Sequence, residues 1–103
     1  VATDEKPTNN NNIRKNKMKV SNIINNNYNA VPNQFIIKDN GKTWFQSYDS
    51  LIVKWEDGQV YLDEYYWDYS VTTGKYRNQV LCETIKDTRR KIKSGEYILT
   101  NLN

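Results

Sequence analysis

Residues 50–66 read SLIVKWEDGQVYLDEYY, in which Asp57-Gly58 separates two short runs of apolar and aromatic residues. An Asp-Gly pair readily adopts the positive φ angles of a type I′ turn, whose twist matches the twist of the strands that it joins. Both runs are rich in the β-branched and aromatic residues that favour strands. The stretch therefore predicts a β-hairpin with strands near residues 50–56 and 59–66.

A second hairpin is predicted just upstream, where Asn40-Gly41 separates QFIIKD from KTWFQSY. Its strands lie near residues 34–39 and 42–48. Because successive side chains of a strand point to opposite faces, alternation assigns an inner and an outer face to the four strands. The predicted inner face holds Phe35, Ile37, Phe45, Leu51, Val53, Trp55, Val60 and Leu62, and the predicted outer face holds Trp44, Tyr48, Ile52 and Tyr61.

After residue 70 the apolar spacing becomes helical, with one stripe formed by Leu81, Ile85, Thr88 and Ile92. The predicted helix covers about residues 73–94. It begins after an N-cap at Thr72 or Thr73 and ends at Ser94-Gly95, which suits a helix C-terminus. This stripe would pack on the inner face of the sheet.

The same segment also permits two shorter helices, because Thr84 followed three residues later by Asp87 can start a helix of its own. Both alternatives stay open at this point. The run EYILTNL, residues 96–102, predicts a final strand. The predicted fold is α+β: an antiparallel meander of about four strands, one amphipathic helix that is continuous or broken in two, and a C-terminal strand. Its order is ββββαβ, and it forms a two-layer sandwich.

The first third of the chain has a different composition, since residues 1–33 hold 11 of the 15 asparagines. Its few, scattered apolar residues cannot offset the entropy cost of ordering the segment. We therefore predict a flexible, basic, Asn-rich tail over residues 1–33 and a single small domain over residues 34–103. The chain begins at Val1, and MKVSNI at Met18 opens as many bacterial proteins do, so Val1 and Met18 are both candidates for the natural N-terminus.

Charge and cysteine content exclude several classes of site. Residues 1–33 carry five basic and two acidic residues, whereas residues 34–103 carry ten of each, so the basic pI reflects the tail. The chain has no histidine and one cysteine, Cys82. These counts exclude an intrachain disulfide, a His/Cys zinc site and a nucleophile activated by histidine. No apolar run is long enough to span a bilayer. We expect no metal or cofactor and a cytoplasmic location.

Residues 61–70, YLDEYYWDYS, combine aromatic side chains with carboxylates. Asp63 and Asp68 would be the only candidate acid–base pair, but a domain of about 70 residues is too small for a cleft that excludes water, so we expect no catalysis. The plainer interpretation is that the aromatics cover the junction of sheet and helix. Because tyrosine and tryptophan dominate protein interfaces, we also predict a site for a protein with a basic surface. Its residues are Trp44, Tyr48, Tyr61, Asp63, Glu64, Tyr65, Tyr66, Trp67, Asp68 and Tyr69.

An alternative function rests on the basic run at residues 85–95, IKDTRRKIKSG, together with the basic tail. Cations near a helix C-terminus are stabilised by the helix dipole, which explains the run without any ligand. They would also suit contacts to nucleic-acid phosphates. The residues of this alternative site are Lys75, Arg77, Lys86, Arg89, Arg90, Lys91 and Lys93. A second alternative is a structural or oligomeric protein whose aromatic face is a subunit interface.

Two segments carry a resemblance to known proteins: FQSYDSLI at residues 45–52 and YLDEYYWDYSVTTGKYRNQVL at residues 61–81. With these segments the chain resembles small proteins of unknown function that are encoded by phages, plasmids and related mobile elements of Gram-positive bacteria. The resemblance covers roughly residues 34–103. It implies an intracellular accessory protein that acts by binding, for instance by inhibiting a host defence or replication protein, an anti-CRISPR-like inhibitor being one specific case.

Overall fold

The computed structural model of the chain describes residues 18–103. All its strands form one sheet in the order β1-β2-β3-β4-β5-β6, antiparallel up to β5, with β6 parallel to β5. This architecture confirms the predicted α+β class. The elements are β1 (Lys19–Ile24), β2 (Ala30–Asp39), β3 (Lys42–Ser47), β4 (Ser50–Glu56), β5 (Gln59–Asp63), α1 (Val71–Leu81), α2 (Ile85–Ser94) and β6 (Tyr97–Thr100).

The two hairpin turns lie where the dipeptides predict them. Asn40 and Asp57 have φ angles of 54° and 52°, and each is followed by a glycine that also has positive φ. Positive φ at both central residues is the type I′ geometry that matches the right-handed twist of the strands. The turn between β3 and β4 has no glycine, and Tyr48 takes the left-handed conformation there with φ 54°.

The prediction of a tail over residues 1–33 is wrong from Lys19 onward, because β1 and the first part of β2 complete the sheet. Ile23 and Val31 bury their side chains in the core, at 5% and 7% exposure. Between the two strands, the Asn25 side chain accepts hydrogen bonds from the backbone N–H groups of Asn27 and Asn29 and so forms a turn. Asparagine-rich composition here indicates a hairpin turn. Residues 1–17, which hold four of the five basic residues of the predicted tail, lie outside the described residues.

A β-bulge changes the faces predicted for β4. Phe45 pairs with Val53 but Gln46 pairs with Leu51, so Ile52 is the extra residue of the bulge. Ile52 is therefore buried in the core at 1% exposure, whereas Leu51 lies on the outer face beside Gln46. The prediction had placed these two side chains the other way round.

The face assignment of β2 is also wrong by one residue. Ile36 pairs with Phe45 and packs against the core, and Ile37 pairs with Trp44. Since directly paired residues share a face, Phe35 and Ile37 lie on the outer face. The predictions are confirmed for Phe45, Val53 and Leu62, each at 0% exposure, for Trp55 and Val60 packed against them, and for Trp44 and Tyr61 on the outer face.

Two helices, and not one, cover the inner face, so the two-helix alternative is correct. Helix α1 begins after Ser70, whose side chain accepts the Thr73 N–H at 3.1 Å, and this N-cap lies two or three residues before the predicted ones. It ends at Cys82 in the left-handed conformation. Helix α2 has Thr84 as its N-cap, with a reciprocal capping box to Asp87, and ends at Gly95 as predicted. Among residues 18–103, no helix combines the length and apolarity needed to cross a membrane.

Candidate functional site

The aromatic and acidic segment that follows β5 is fixed at its start by Asp63. The Asp63 carboxylate accepts backbone hydrogen bonds from Tyr65 at 3.1 Å, from Tyr66 at 2.8 Å and from Leu102 at 2.8 Å. The residue is only 1% exposed. Burial alone would raise the pKa of Asp63, but these hydrogen bonds outweigh it and leave the pKa below its ordinary value. Asp63 thus joins the segment to the C-terminus and is not part of a binding surface.

The end of the same segment is fixed by Arg77 of α1, which is 1% exposed. Its Nη1 donates to the Trp67 carbonyl oxygen at 2.6 Å and contacts Asp68 Oδ1 at 3.4 Å, while its Nη2 donates to Asn78 Oδ1 at 2.9 Å. The guanidinium also lies 5.4 Å from the centre of the Trp67 ring. Trp67 and Arg77 therefore hold the fold together. Arg77 is too buried for the phosphate contact predicted for it.

Between these two anchors, three tyrosines form a cluster of rings. Tyr66 packs edge-on against Tyr65, with centroids 4.7 Å apart, and against Tyr69, with centroids 5.2 Å apart. Tyr66 is half-buried and contacts the core, whereas Tyr65 and Tyr69 are 69% and 62% exposed. The exposed rings are thus held in place by a neighbour that belongs to the core.

Next to the cluster lies a cleft of about 400 Å³ between the β3–β4 turn and residues 66–73. Its floor includes Ile52 and the Ser47 Oγ and Thr73 Oγ1 atoms, which are hydrogen-bonded at 2.9 Å. Tyr48 forms one wall and is held by its N–H, which donates to the Asn33 carbonyl oxygen at 2.7 Å. We call this site the tyrosine cleft; its lining residues are Ser47, Tyr48, Asp49, Ser50, Ile52, Tyr66, Tyr69, Ser70 and Thr73.

The cleft combines aromatic faces and hydroxyl groups with a carboxylate. Asp49, on the cleft wall, is exposed, as are Glu64 and Asp68 on the segment that carries the tyrosines. Asp68 is partly neutralised by Arg77 and Arg89, at 3.4 and 3.5 Å. The site is chemically suited to cations and hydrogen-bond donors. In the part of the chain that the structure describes, no three His, Cys, Asp or Glu side chains converge as metal ligands would.

Two predicted binding residues lie elsewhere, since Trp44 and Tyr61 are on the outer face of the sheet. They sit on β3 and β5, and Lys54 of β4 lies between them in the register of the strands. The Lys54 Nζ atom is 4.5 Å from the centre of the Tyr61 ring. The structure thus divides the predicted site into a cleft built on the helix side and a separate aromatic patch on the outer face.

The predicted nucleic-acid residues do not form one continuous basic face. Lys75 and Arg89 border a groove beside Asp68. Arg90 contacts Asp87 at 3.4 Å, and Lys91 donates to Glu83 at 2.7 Å. Four of the seven therefore pair with acids, namely Arg77, Arg89, Arg90 and Lys91, and the other three, Lys75, Lys86 and Lys93, are exposed.

Sequence reasoning missed Glu83, the acid with the most hydrogen bonds to side chains. Its carboxylate accepts from Thr88 Oγ1 at 2.6 Å, Lys91 Nζ at 2.7 Å and Tyr97 OH at 2.7 Å, and its side chain is 5% exposed. Burial would raise the pKa of Glu83, but the hydrogen bonds from Lys91, Thr88 and Tyr97 outweigh it and lower the pKa. Burial and the bond to Glu83 raise the pKa of Tyr97 to about 12. The spacing of Glu83 and Lys91 gives no local signal of this contact.

Sequence reasoning also missed Asp49 as a lining residue of the cleft. Asp49 follows Tyr48 in the turn between two predicted strands. An acidic residue in a turn usually indicates only that its side chain stabilises the turn. Its position opposite residues 66–70 depends on the packing of distant segments.

Comparison with known proteins identifies one family. The model of a family of unknown function, DUF8033, matches residues 18–96, which is most of the chain. The matched region includes every lining residue of the tyrosine cleft. Neither a curated protein nor a solved structure matches the chain. The chain belongs to the DUF8033 family.

Proposed function

We propose that this member of the DUF8033 family is a non-catalytic protein that works by binding another protein through the tyrosine cleft. The observation that carries the proposal is a cleft of about 400 Å³ that has exposed tyrosines on its walls. The Tyr69 ring is held by contact with the Tyr66 ring, and the backbone at Tyr48 is held by a hydrogen bond to Asn33. Rigid tyrosines contribute large contact areas at low entropic cost, and they are enriched among the residues that dominate binding energy.

The charges of the site define the partner. Asp49 in the cleft, with Glu64 and Asp68 on the adjoining segment, gives an acidic surround. An arginine or lysine side chain that entered the cleft would contact ring faces and a carboxylate together, an arrangement that stabilises a cation more than either group alone. The expected partner is therefore a protein that presents a basic side chain on a protruding loop or helix.

The biological setting belongs to the same proposal. The resemblance to small proteins of phages, plasmids and other mobile elements favours an accessory protein in the cytoplasm of a bacterial host. Inhibition of a host defence or replication protein is the specific form of binding that we propose for it, and an anti-CRISPR-like inhibitor is one case. A fixed surface on a small domain suits inhibition, because occupying a partner's basic site requires no chemistry from the inhibitor.

The test is affinity capture from a host lysate treated with nuclease, with wild-type protein and three variants as baits. Tyr69→Ala removes an exposed cleft ring, and Tyr28→Ala removes a ring that is 89% exposed in the β1–β2 turn. We expect wild type and Tyr28→Ala to retain the same protein, and Tyr69→Ala to bind it at least about tenfold more weakly. Asp49→Asn should also bind this protein more weakly than wild type does. Circular dichroism should show that all baits are folded.

Two outcomes would contradict the proposal. A protein retained equally by wild type, Tyr69→Ala and Asp49→Asn would bind outside the cleft. Capture of nucleic acid alone, lost after nuclease treatment and at raised salt, would favour the alternative of a nucleic-acid-binding accessory protein. In that case Lys86→Ala and Lys93→Ala, at exposed positions of α2, should each reduce the salt dependence of nucleic-acid binding.

A further inference from the structure

The outer face of the sheet carries an uninterrupted row of side chains, one from each strand. The pairing registers place its members side by side across the sheet. The two central strands contribute a tryptophan and a lysine, and the four strands on either side contribute aliphatic or aromatic side chains. We call this set the outer-face row; from β1 to β6 it reads Val20, Ile37, Trp44, Lys54, Tyr61 and Ile98.

Neither helix covers this row, because both helices pack on the inner face. Val20 and Ile98 at its two ends are 56% and 40% exposed. A shallow groove of about 420 Å³, lined in part by Ile37, Trp44 and Leu51, runs along the strands beside it. Exposed apolar side chains with a polar rim, as Asp39, Gln46 and Asp49 provide here, mark interaction sites on small proteins. Within residues 18–103, no further element is available to cover the face.

The charges on this face are mixed in sign. Lys42 and Lys54 are matched by Asp39 and Glu56, which alternation and pairing place on the same side as Trp44. The Lys54 Nζ atom lies 3.1 Å from Glu56 Oε1, and the Lys42 Nζ atom lies 3.8 Å from Glu56 Oε2. A face with two lysines and three acids, including Asp49 on the groove, does not favour a polyanion. It favours a partner with the same mixture of charges.

We propose that the partner is a second copy of this chain, and that the two sheets stack through their outer faces. The two-fold axis would lie in the interface, parallel to the strands and between β3 and β4. This axis sets each strand over its counterpart in reverse order, β1 over β6, β2 over β5 and β3 over β4. Aligned stacking of this kind, with sheets about 10 Å apart, is the usual geometry of β-sandwiches.

The row is complementary to itself under this axis. The ends meet as Val20 on Ile98 of the second copy, and the next strands meet as Ile37 on Tyr61. At the centre Trp44 meets Lys54 of the second copy, and the symmetry makes that cation–π contact twice. At the end of the same two strands, Lys42 meets Glu56 of the second copy, again twice. Each contact of the row therefore joins residues of compatible chemistry.

The size of the face fits a dimer. Six strands spaced about 4.8 Å apart are roughly 28 Å wide, and five to six paired residues at about 3.3 Å are roughly 18 Å long. The flat outline is then about 500 Å², and projecting side chains raise the accessible area towards the roughly 800 Å² per partner of a standard interface. The tyrosine cleft is built on the helix side and shares Asp49, but no residue of the outer-face row, with the groove, so failure of the dimer would leave the proposed protein-binding function standing.

The first test is sedimentation of the full chain over a concentration series. Wild type should form dimers, and Trp44→Ala should raise the dimer Kd by at least about thirtyfold, because the substitution removes two central contacts. Tyr28→Ala, a ring outside the face, should leave the Kd unchanged. A wild-type chain that stays monomeric at millimolar concentration, or a dimer that Trp44→Ala leaves intact, would overturn the proposal.

The second test isolates the contact between copies and does not depend on whether Trp44→Ala folds. The substitutions Lys42→Glu and Glu56→Lys lie at exposed or half-exposed strand ends. Either substitution alone places two like charges opposite each other at both symmetry-related contacts of the dimer. Each should therefore raise the dimer Kd about tenfold. An equimolar mixture of the two variants should form dimers as readily as wild type does. In a dimer of one variant with the other, both of these contacts join residues of opposite charge. Repulsion within each chain remains in the mixture, so recovery reports the interface alone. A mixture no tighter than the single variants would refute the axis.

Discussion

The two faces of this one sheet show how differently neighbouring residues can be used. Phe45 points to the helices and is completely buried, while Trp44 beside it points to the outer face and keeps part of its surface exposed. On the inner side every strand from β3 to β5 contributes a side chain at 0% exposure, namely Phe45, Val53 and Leu62. The outer side carries both apolar and charged side chains and has no described layer over it. An apolar face therefore indicates a core only where another element covers it.

The acids of the molecule divide in a similar way. Asp63 and Glu83 are buried, and each accepts three hydrogen bonds that join separate segments of the fold. Asp49 and Glu64 stay exposed around the tyrosine cleft. Because a buried carboxylate is stabilised only by its full set of partners, the first pair cannot serve a ligand as well. Position in the fold, and not residue type, separates structural acids from candidate binding acids.

The comparison of the two faces is tested most strongly by truncating neighbouring aromatic residues. Phe45→Ala should lower the free energy of unfolding by about 3–5 kcal/mol, since it leaves a cavity in a filled core. Trp44→Ala should lower the free energy of unfolding by about 1 kcal/mol in dilute protein, where the outer face is open to water. Urea unfolding followed by circular dichroism measures both. Equal losses would mean that the outer face is covered in the monomer.

The next largest effect is expected at Glu83, the polar anchor of the covered side. Glu83→Ala leaves Lys91, Thr88 and Tyr97 without their common acceptor, and should lower the free energy of unfolding by about 2–3 kcal/mol. Glu64→Ala, at an exposed position, is the matched control and should change it by less than about 0.5 kcal/mol. If both substitutions had the same effect in thermal or urea unfolding, the network would not hold α2 and β6 together.

A stabilising change is expected at Gln34, which lies on the covered side at 1% exposure. Within residues 18–103, neither its amide oxygen nor its amide nitrogen has a hydrogen-bond partner. Gln34→Met keeps the shape of the side chain and removes the polar atoms, so it should raise the free energy of unfolding by about 1–2 kcal/mol. A loss of stability in urea unfolding would show that the amide has a partner, such as a buried water or a residue before 18.

The smallest effect is expected from mild acid. The pKa of Glu83 and of Asp63 is lowered in the folded state from ordinary values of 4.5 and 3.8, so the unfolded chain binds protons first as the pH falls. The stabilisation that these two carboxylates contribute is complete above their ordinary pKa values and is lost progressively as the pH falls below them. At about pH 4 only part of this stabilisation is lost. Glu83→Gln should flatten the acid dependence of the unfolding free energy. A Glu83→Gln curve parallel to wild type would contradict the assigned pKa direction.

The sequence was most reliable where one local interaction decides the structure. Asn40-Gly41 and Asp57-Gly58 marked both turns because their φ preferences belong to the residues themselves. Thr84 with Asp87 marked the start of the second helix for the same reason. The tyrosines of residues 61–70 were visible as a group, but their division between core and cleft was not.

The misplaced elements depend on contacts between distant residues. β1 was missed because its pairing with β2 uses backbone groups that any sequence provides, and Ile23 is its one buried anchor. The faces of β2 and β4 were exchanged in part because Ile52 is a bulge residue and the phase of β2 follows from its pairing with β3. Asp63 was mistaken for a surface acid because one of its partners, Leu102, comes 39 residues later in the chain.

The amino-acid sequence by itself determined the α+β class, the two tight turns, the end of the helical segment at Ser94-Gly95 and the exclusion of a His/Cys zinc site, because these follow from local backbone preferences and composition. Tertiary structure alone decided which face of the sheet is covered, which acids are buried, and that Tyr48 and Asp49 meet Tyr66 and Tyr69 in one cleft. Strand pairing joins distant residues, and a shift of one residue moves every side chain of a strand to the other face. No local pattern can fix that choice.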